Sequence, residues 1–220
     1  MESKQNNQRI AKNTLFLYFR MLLTLIIGLY TSRVVLATLG ISDYGLYNVV
    51  GGVVTMFAFL NGTLSTSTQR FLNFEMGKGN EQKVKMVFST ALRLHTMLTG
   101  LVLLLAETVG LWFVLNKLVI APDRMIAAFW VYQFSIIVVC IQIFQLPFMS
   151  TIIAHEKMSA YAYLSIYETL MKLVIVFILK WIDADKLILY AFLYMCVQVS
   201  VAYIYNFTTV PLKWTNRSLN

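Results

Sequence analysis

Long apolar runs separated by short polar clusters dominate the chain. Six runs approach or exceed the roughly 20 residues that a helix needs to cross a bilayer. They cover residues 15–36, 44–64, 86–115, 125–151, 159–182 and 187–210. The interruptions are Leu39-Gly40-Ile41-Ser42-Asp43, Met76-Gly77-Lys78-Gly79-Asn80, Pro122-Asp123, His155-Glu156-Lys157 and Asp183-Ala184-Asp185-Lys186. Each carries glycine, proline or charge, the residues that end or start helices, and Pro122 stands where proline fits a helix N-terminus. Lipid offers no partner for backbone N–H and C=O groups, so apolar runs of this length predict helices and not an open sheet. The pattern predicts an all-α, polytopic membrane protein. Its six transmembrane helices form a bundle over 13–210, between polar tails at 1–12 and 211–220.

Composition agrees. Of 220 residues, 59% are apolar and 13% are charged, against about 45–50% and about 25% in soluble domains. A chain of this length cannot hide that much apolar surface from water. Cys140 and Cys196 lie inside apolar runs without metal-ligand spacing, which argues against a disulfide framework or a zinc site. Residues 1–12 lack the apolar core of a cleavable signal peptide. The net charge of +8 does not indicate a nucleic-acid partner, because the charges sit in short loops and form no basic stripe.

Those loop charges set an orientation instead. One side collects Lys4, Arg9, Lys12, Arg70, Lys78, Lys83, Lys85, Lys157, Lys213 and Arg217; the other collects Lys117, Arg124, Lys180 and Lys186. The richer side is expected to be cytoplasmic, with both termini there. Residues 68–76, where Arg70 and Glu75 flank Phe71, Leu72 and Phe74, read either as an interfacial helical segment or as the frayed end of the second span.

Polar residues inside the spans recur at helical spacing. Arg20, Thr24 and Thr31 share a face of the first span. Asn48, Gly52, Thr55, Gly62 and Thr66 run along the second, and Ser89, Arg93, Thr96, Gly100 and Glu107 along the third. Gln142 and Gln145 are one turn apart in the fourth, near Pro147, and Tyr161, Ser165, Glu168 and Lys172 share a face of the fifth. A polar stripe in lipid turns toward other helices or toward water, so the stripes predict a polar, partly hydrated and basic cavity. Plainer readings stand beside this one. Arg20, Arg33 and Arg93 lie near span ends, from which an arginine can snorkel to the headgroups. Glu168 and Lys172, spaced i, i+4, can neutralise each other. Gly51, Gly52 and Gly62 can serve close helix packing.

Motifs for catalysis are missing: there is no P-loop, no G-x-G-x-x-G, no His-Glu-x-x-His and no G-x-S-x-G. Asp183 and Asp185 form a short Asp-x-Asp, with no sugar-nucleotide domain around it. No enzyme activity, metal or cofactor is expected.

Several segments resemble a known family. They are Asn13-Thr14-Leu15-Phe16-Leu17-Tyr18-Phe19-Arg20, Ser32-Arg33-Val34-Val35-Leu36, Leu39-Gly40-Ile41-Ser42-Asp43-Tyr44-Gly45-Leu46-Tyr47, Ser67-Thr68-Gln69-Arg70-Phe71 and Ala154-His155-Glu156-Lys157-Met158-Ser159-Ala160-Tyr161. Together they resemble the polysaccharide flippases of the multidrug/oligosaccharidyl-lipid/polysaccharide exporter superfamily. The resemblance spans residues 9–205 and implies the N-terminal lobe of a MATE-like flippase. Such a transporter has two six-helix lobes that rock around a central cavity. Its implied cargo is an undecaprenyl-diphosphate-linked oligosaccharide, carried between leaflets of the bacterial inner membrane. By motif, the resemblance implies functional roles for Arg20, Arg33 and Asp43.

The stripes add Asn48, Arg93, Gln142, Gln145, Glu168 and Lys172 as substrate-binding candidates. Arginines would hold the diphosphate by charge-assisted bonds, and amides the sugars. Expected partners are the lipid-linked oligosaccharide, membrane lipids and a second transporter lobe, since one lobe cannot alternate access by itself. Two rivals remain: a cation-coupled multidrug exporter of the same superfamily, and a membrane scaffold that transports nothing.

Overall fold

The computed structural model describes residues 2–56, 59–182 and 184–214. All regular elements among them are helical: α1 (Glu2–Thr55), α2 (Phe59–Gly77), α3 (Glu81–Leu105), a π-turn (Ala106–Gly110), α4 (Leu111–Asn116), a 3-10 turn (Pro122–Arg124), α5 (Met125–Ala154), α6 (Met158–Trp181) and α7 (Lys186–Trp214). Five stretches are long and apolar enough to cross a membrane: Thr14–Thr55, Glu81–Asn116, Pro122–Ala154, Met158–Trp181 and Lys186–Thr209. The shortest has 24 residues, about 36 Å of helix against a hydrocarbon thickness of about 30 Å. The chain is a multi-pass, all-α membrane protein.

The first stretch, 42 residues long, is too long for one crossing. It breaks at Gly40, whose φ of 81° and ψ of 167° are non-helical. Long-range contacts show that the chain reverses there. Arg20 meets Tyr161 and Ser165 near the start of α6. Asp43 meets Arg124 before α5, and Tyr47 packs on Tyr190 near the start of α7. Ser65 in α2 then lies beside Ser150, near the end of α5. The path therefore goes across, turns at Gly40, and comes back along α5. The return leg comprises residues 41–55 and α2, and with it the crossings among the described residues number six. An L-residue with a side chain rarely adopts the backbone found at Gly40, which is why glycine stands at the turn.

The helix of the second crossing runs on beyond the 44–64 read from hydropathy, since α2 continues to Gly77. Residues 68–76 are part of this helix. Leu72 is fully buried while Phe71 and Phe74 are exposed, so the segment is neither a separate surface helix nor a frayed end. At its foot Asn80 caps α3 by accepting a bond from the Lys83 backbone N–H.

Helix α5 is the axis of the bundle. One apolar cluster joins Val131, Tyr132, Ile136 and Ile143 of α5 to Val50, Val54 and Leu187. A second joins Phe148 and Ile152 to Leu72, Phe88, Leu164, Leu179 and Val201. The first leg of α1 is the opposite case: Leu15, Leu22, Leu25, Ile26 and Leu29 are all exposed, as a lipid-facing helix requires. Trp112, Trp130 and Trp181 are exposed toward the end that carries the Gly40 turn, where aromatic anchors meet headgroups.

The third crossing, expected to be uninterrupted, widens into the π-turn at Ala106–Gly110. Its cause is Tyr132, whose hydroxyl donates to the Ala106 carbonyl at 2.7 Å. Gly110 leaves room for that ring, because a Cβ there would overlap the Tyr132 oxygen. An inserted partner of this kind diverts the regular i→i−4 ladder.

Candidate functional site

A cleft of about 220 Å³ opens between the return leg of α1, α5 and α7. Asn48, Thr55, Ser135, Gln142 and Tyr194 supply its polar groups, and Gly51 and Gly52 form part of its wall. The helix period explains the convergence. Asn48, Gly52 and Thr55 are successive positions on one face of α1, and Ser135 and Gln142 are two turns apart on α5. None of the described side chains that line it is charged. An uncharged cleft rich in amides and hydroxyls suits neutral hydroxylated groups better than ions. Space beside Gly52 and Gly62 is open, and a Cβ on Gly51 would only touch Ser135 Oγ at 3.9 Å. Close helix packing is therefore not what these glycines serve.

The structure distributes the remaining sequence-derived residues over separate places. Arg20 faces inward with Thr24 and Thr31, as the stripe on the first span predicts. Its guanidinium donates to Ser165 Oγ at 3.3 Å and lies 4.7 Å from the centre of the Tyr161 ring. Its Nε is buried without a partner, and so are the hydroxyls of Thr24 and Thr31. Arg20 is not among the residues that line the cleft.

Asp43 belongs to a three-way clasp at the Gly40 end. Arg124 binds Asp43 Oδ2 at 2.5 Å through Nη2 and Asp185 Oδ2 at 2.7 Å through Nη1. The Asp43 side chain is only 10% exposed, so the guanidinium offsets a buried charge. Asp185 also accepts bonds from the Leu187 and Ile188 backbone N–H groups at the start of α7. In the Asp-x-Asp pair it is thus a helix cap and ion-pair partner; Asp183 lies outside the described residues.

Glu168 and Lys172 form the i, i+4 pair anticipated by the plainer reading, at 2.8 Å. Gln198, 1% exposed, ties them to the cleft wall. Its amide nitrogen donates to Glu168 at 2.9 Å and to the Tyr194 hydroxyl at 3.1 Å. The Lys172 ammonium lies 5.1 Å from the centre of the Tyr194 ring.

Arg33 and Arg93 are exposed, and neither lines the cleft. Most of the stripe on the third span points away from the bundle: Ser89, Arg93, Thr96 and Gly100 are exposed, while Phe88, Ala91, His95 and Val102 make the buried face. Its last member, Glu107, is half-buried and accepts a bond from Gln133 of α5 at 3.2 Å. Gln145 is half-buried with its carbonyl oxygen unpartnered, one turn beyond the cleft-lining Gln142. The five stripes thus do not enclose one basic cavity; one uncharged cleft and separate charged clusters stand in its place. Both cysteines are free thiols.

Sequence reasoning missed Arg124, Gln198 and Tyr194. Arg124 counted only as a topology charge, and nothing local in the sequence marks it as the partner of an aspartate 81 positions away. Gln198 had a signal, since a glutamine in the middle of an apolar run needs a partner.

Comparison with protein-family models, curated proteins and solved structures finds no match to this chain.

Proposed function

We propose that this chain is the N-terminal lobe of a flippase that moves an undecaprenyl-diphosphate-linked oligosaccharide across the bacterial inner membrane for surface-polysaccharide biosynthesis. It works with a second lobe, and both termini face the cytoplasm. The orientation rests on the basic loops: Lys78, Lys83, Lys85 and Lys157 lie at the end opposite the Gly40 turn.

Arg20 is the observation that carries the reading. A guanidinium within a membrane-crossing leg costs several kcal/mol and persists where a partner or a function repays it. Here Ser165 and the Tyr161 ring hold the group in place while Nε retains an unused donor. A diphosphate accepts charge-assisted, bidentate bonds from such a group. The uncharged cleft lined by Asn48 and Gln142 supplies hydrogen bonds for sugar hydroxyls, which lowers the cost of moving them through hydrocarbon. A multidrug exporter for cationic drugs would need an uncompensated acid at its site; none of the described residues lining the cleft is acidic, and Glu168 beside it is paired with Lys172.

Export of lipid-linked glycan by the complete transporter tests this. Arg20→Ala is expected to abolish export at normal protein levels, and Arg20→Lys to restore part of it, because the ammonium keeps the charge but loses the fork. Unchanged export in Arg20→Ala removes the diphosphate role.

A further inference from the structure

A second groove, about 420 Å³, lies against the cleft on the side of the Gly40 turn. Ile126, Trp130, Phe134, Ile188, Leu189 and Phe192 form most of its wall, between α5 and α7. Phe134 also lines the polar cleft. It is therefore a shared partition, with amides and hydroxyls on one side and apolar surface on the other. Three rings build this partition. Phe134 stacks on Trp130 with centroids 5.7 Å apart and meets Phe192 edge-on at 5.6 Å. Among the described residues of the groove the acid is Asp185, neutralised by Arg124 and by the backbone at the start of α7. The described wall thus presents no free charge to an occupant.

From this juxtaposition we propose that the two hollows form one site for a single-chain amphiphile with a polyhydroxylated head. The head occupies the cleft of Asn48, Ser135 and Gln142, and the chain lies in the groove against Trp130, Phe134 and Phe192. The proposal rests on the reading of the cleft as a sugar site and concerns a neutral glycoside; a diphosphate at the head–chain junction would meet no counter-charge at Phe134, so the chain of the diphosphate-linked cargo is not placed here. A diacyl phospholipid fits less well, because its charged head finds no counter-charge in the cleft and its two chains exceed one groove. The shared wall sets the register: the polar–apolar junction of the ligand must fall at Phe134.

Trp130 reports on the groove. The test uses the full chain in nanodiscs with Trp112→Phe, Trp181→Phe and Trp214→Phe, which leaves Trp130 as the only tryptophan. The probes are an alkyl disaccharide brominated near the head, the brominated alcohol of equal chain length, and a phospholipid brominated at matching depth. The glycoside is expected to quench Trp130 saturably at concentrations where the alcohol and the phospholipid do not. Gln142→Ala and Asn48→Ala are each expected to raise its half-saturation roughly fivefold, the loss of about one hydrogen bond, with the same maximal quenching. Both positions are outside the apolar core, so either variant serves if the other fails to fold. Equal quenching by all three probes would show a groove filled by bulk lipid and would overturn the proposal, as would glycoside quenching indifferent to Gln142 and Asn48. Export by Arg20 variants does not depend on this result, so the two readings fail separately.

Discussion

Replacing Arg124 with alanine should weaken the Gly40 end of the bundle more than any other surface substitution there. The guanidinium spans Asp43 and Asp185 and so joins the turn after the first crossing to the starts of α5 and α7. Its two bonds differ in worth. Asp185 is 34% exposed, and a pair of that kind contributes about 0.5 kcal/mol. The Asp43 side chain is 10% exposed, and leaving a buried charge without its partner costs about 3–5 kcal/mol. Arg124 itself is 34% exposed, so water can reach the bared carboxylate and reduce that cost to about 2 kcal/mol. The total of about 2.5 kcal/mol corresponds to a fall in Tm of roughly 5–10 °C for a chain of this size. The assay is thermal unfolding in detergent of Arg124→Ala, Asp43→Asn and the double variant. The double variant should be more stable than the sum of the two losses predicts, because a neutral amide in place of the Asp43 carboxylate no longer needs the arginine. Asp123→Ala, exposed and adjacent, should leave Tm within about 1 °C. A fall of less than about 2 °C for Arg124→Ala, or strictly additive losses, would refute the reasoning.

Two backbone sites give further predictions. Gly40→Ala places a side chain at a φ of 81° and should cost about 1–3 kcal/mol, read as a lower Tm with unchanged helix content by circular dichroism; an unchanged Tm would mean that the turn does not need glycine. Gly110→Ala drives a methyl group into the Tyr132 hydroxyl and should destabilise by about 1–3 kcal/mol. Adding Tyr132→Phe should recover part of that loss, and a double variant no better than Gly110→Ala alone would contradict the packing described at the π-turn.

Hydropathy located most of the crossings because lipid leaves the backbone no choice but internal hydrogen bonds, and the breaks at Gly40, Asn80, Pro122 and Lys157 follow from residue chemistry. The end of the second crossing was harder to read. α2 is rich in threonine, serine and charge and looks extramembranous, yet Ser65, Thr68 and Leu72 are buried. Threonine also misled the reading of the stripes. Thr66 and Thr96 donate to the carbonyls of Gly62 and Leu92 in their own helices, so a threonine stripe needs neither water nor a neighbour. Thr24 and Thr31, whose hydroxyls lack such bonds, are the ones that face the interior with Arg20. Asn48 and Gln142 lie on the cleft wall, although Asn48 too donates to a carbonyl of its own helix, that of Tyr44, at 2.7 Å. Arg93 is exposed and away from the cleft; helical spacing says which residues share a face and not whether that face turns inward.

Asn48, Thr55 and Gln142 border the polar cleft, and the proposed function turns on whether water reaches it within the membrane. Cysteine substitution in a Cys140→Ser, Cys196→Ser background, with labelling by a membrane-impermeant thiol reagent in intact membranes, addresses it most directly. The account predicts rapid labelling at 48, 55 and 142 and none at the lipid-facing positions Leu25, Ile26 and Leu104, all three exposed on the outside of the bundle. Silence at the cleft positions, or equal labelling on both sets, would contradict it.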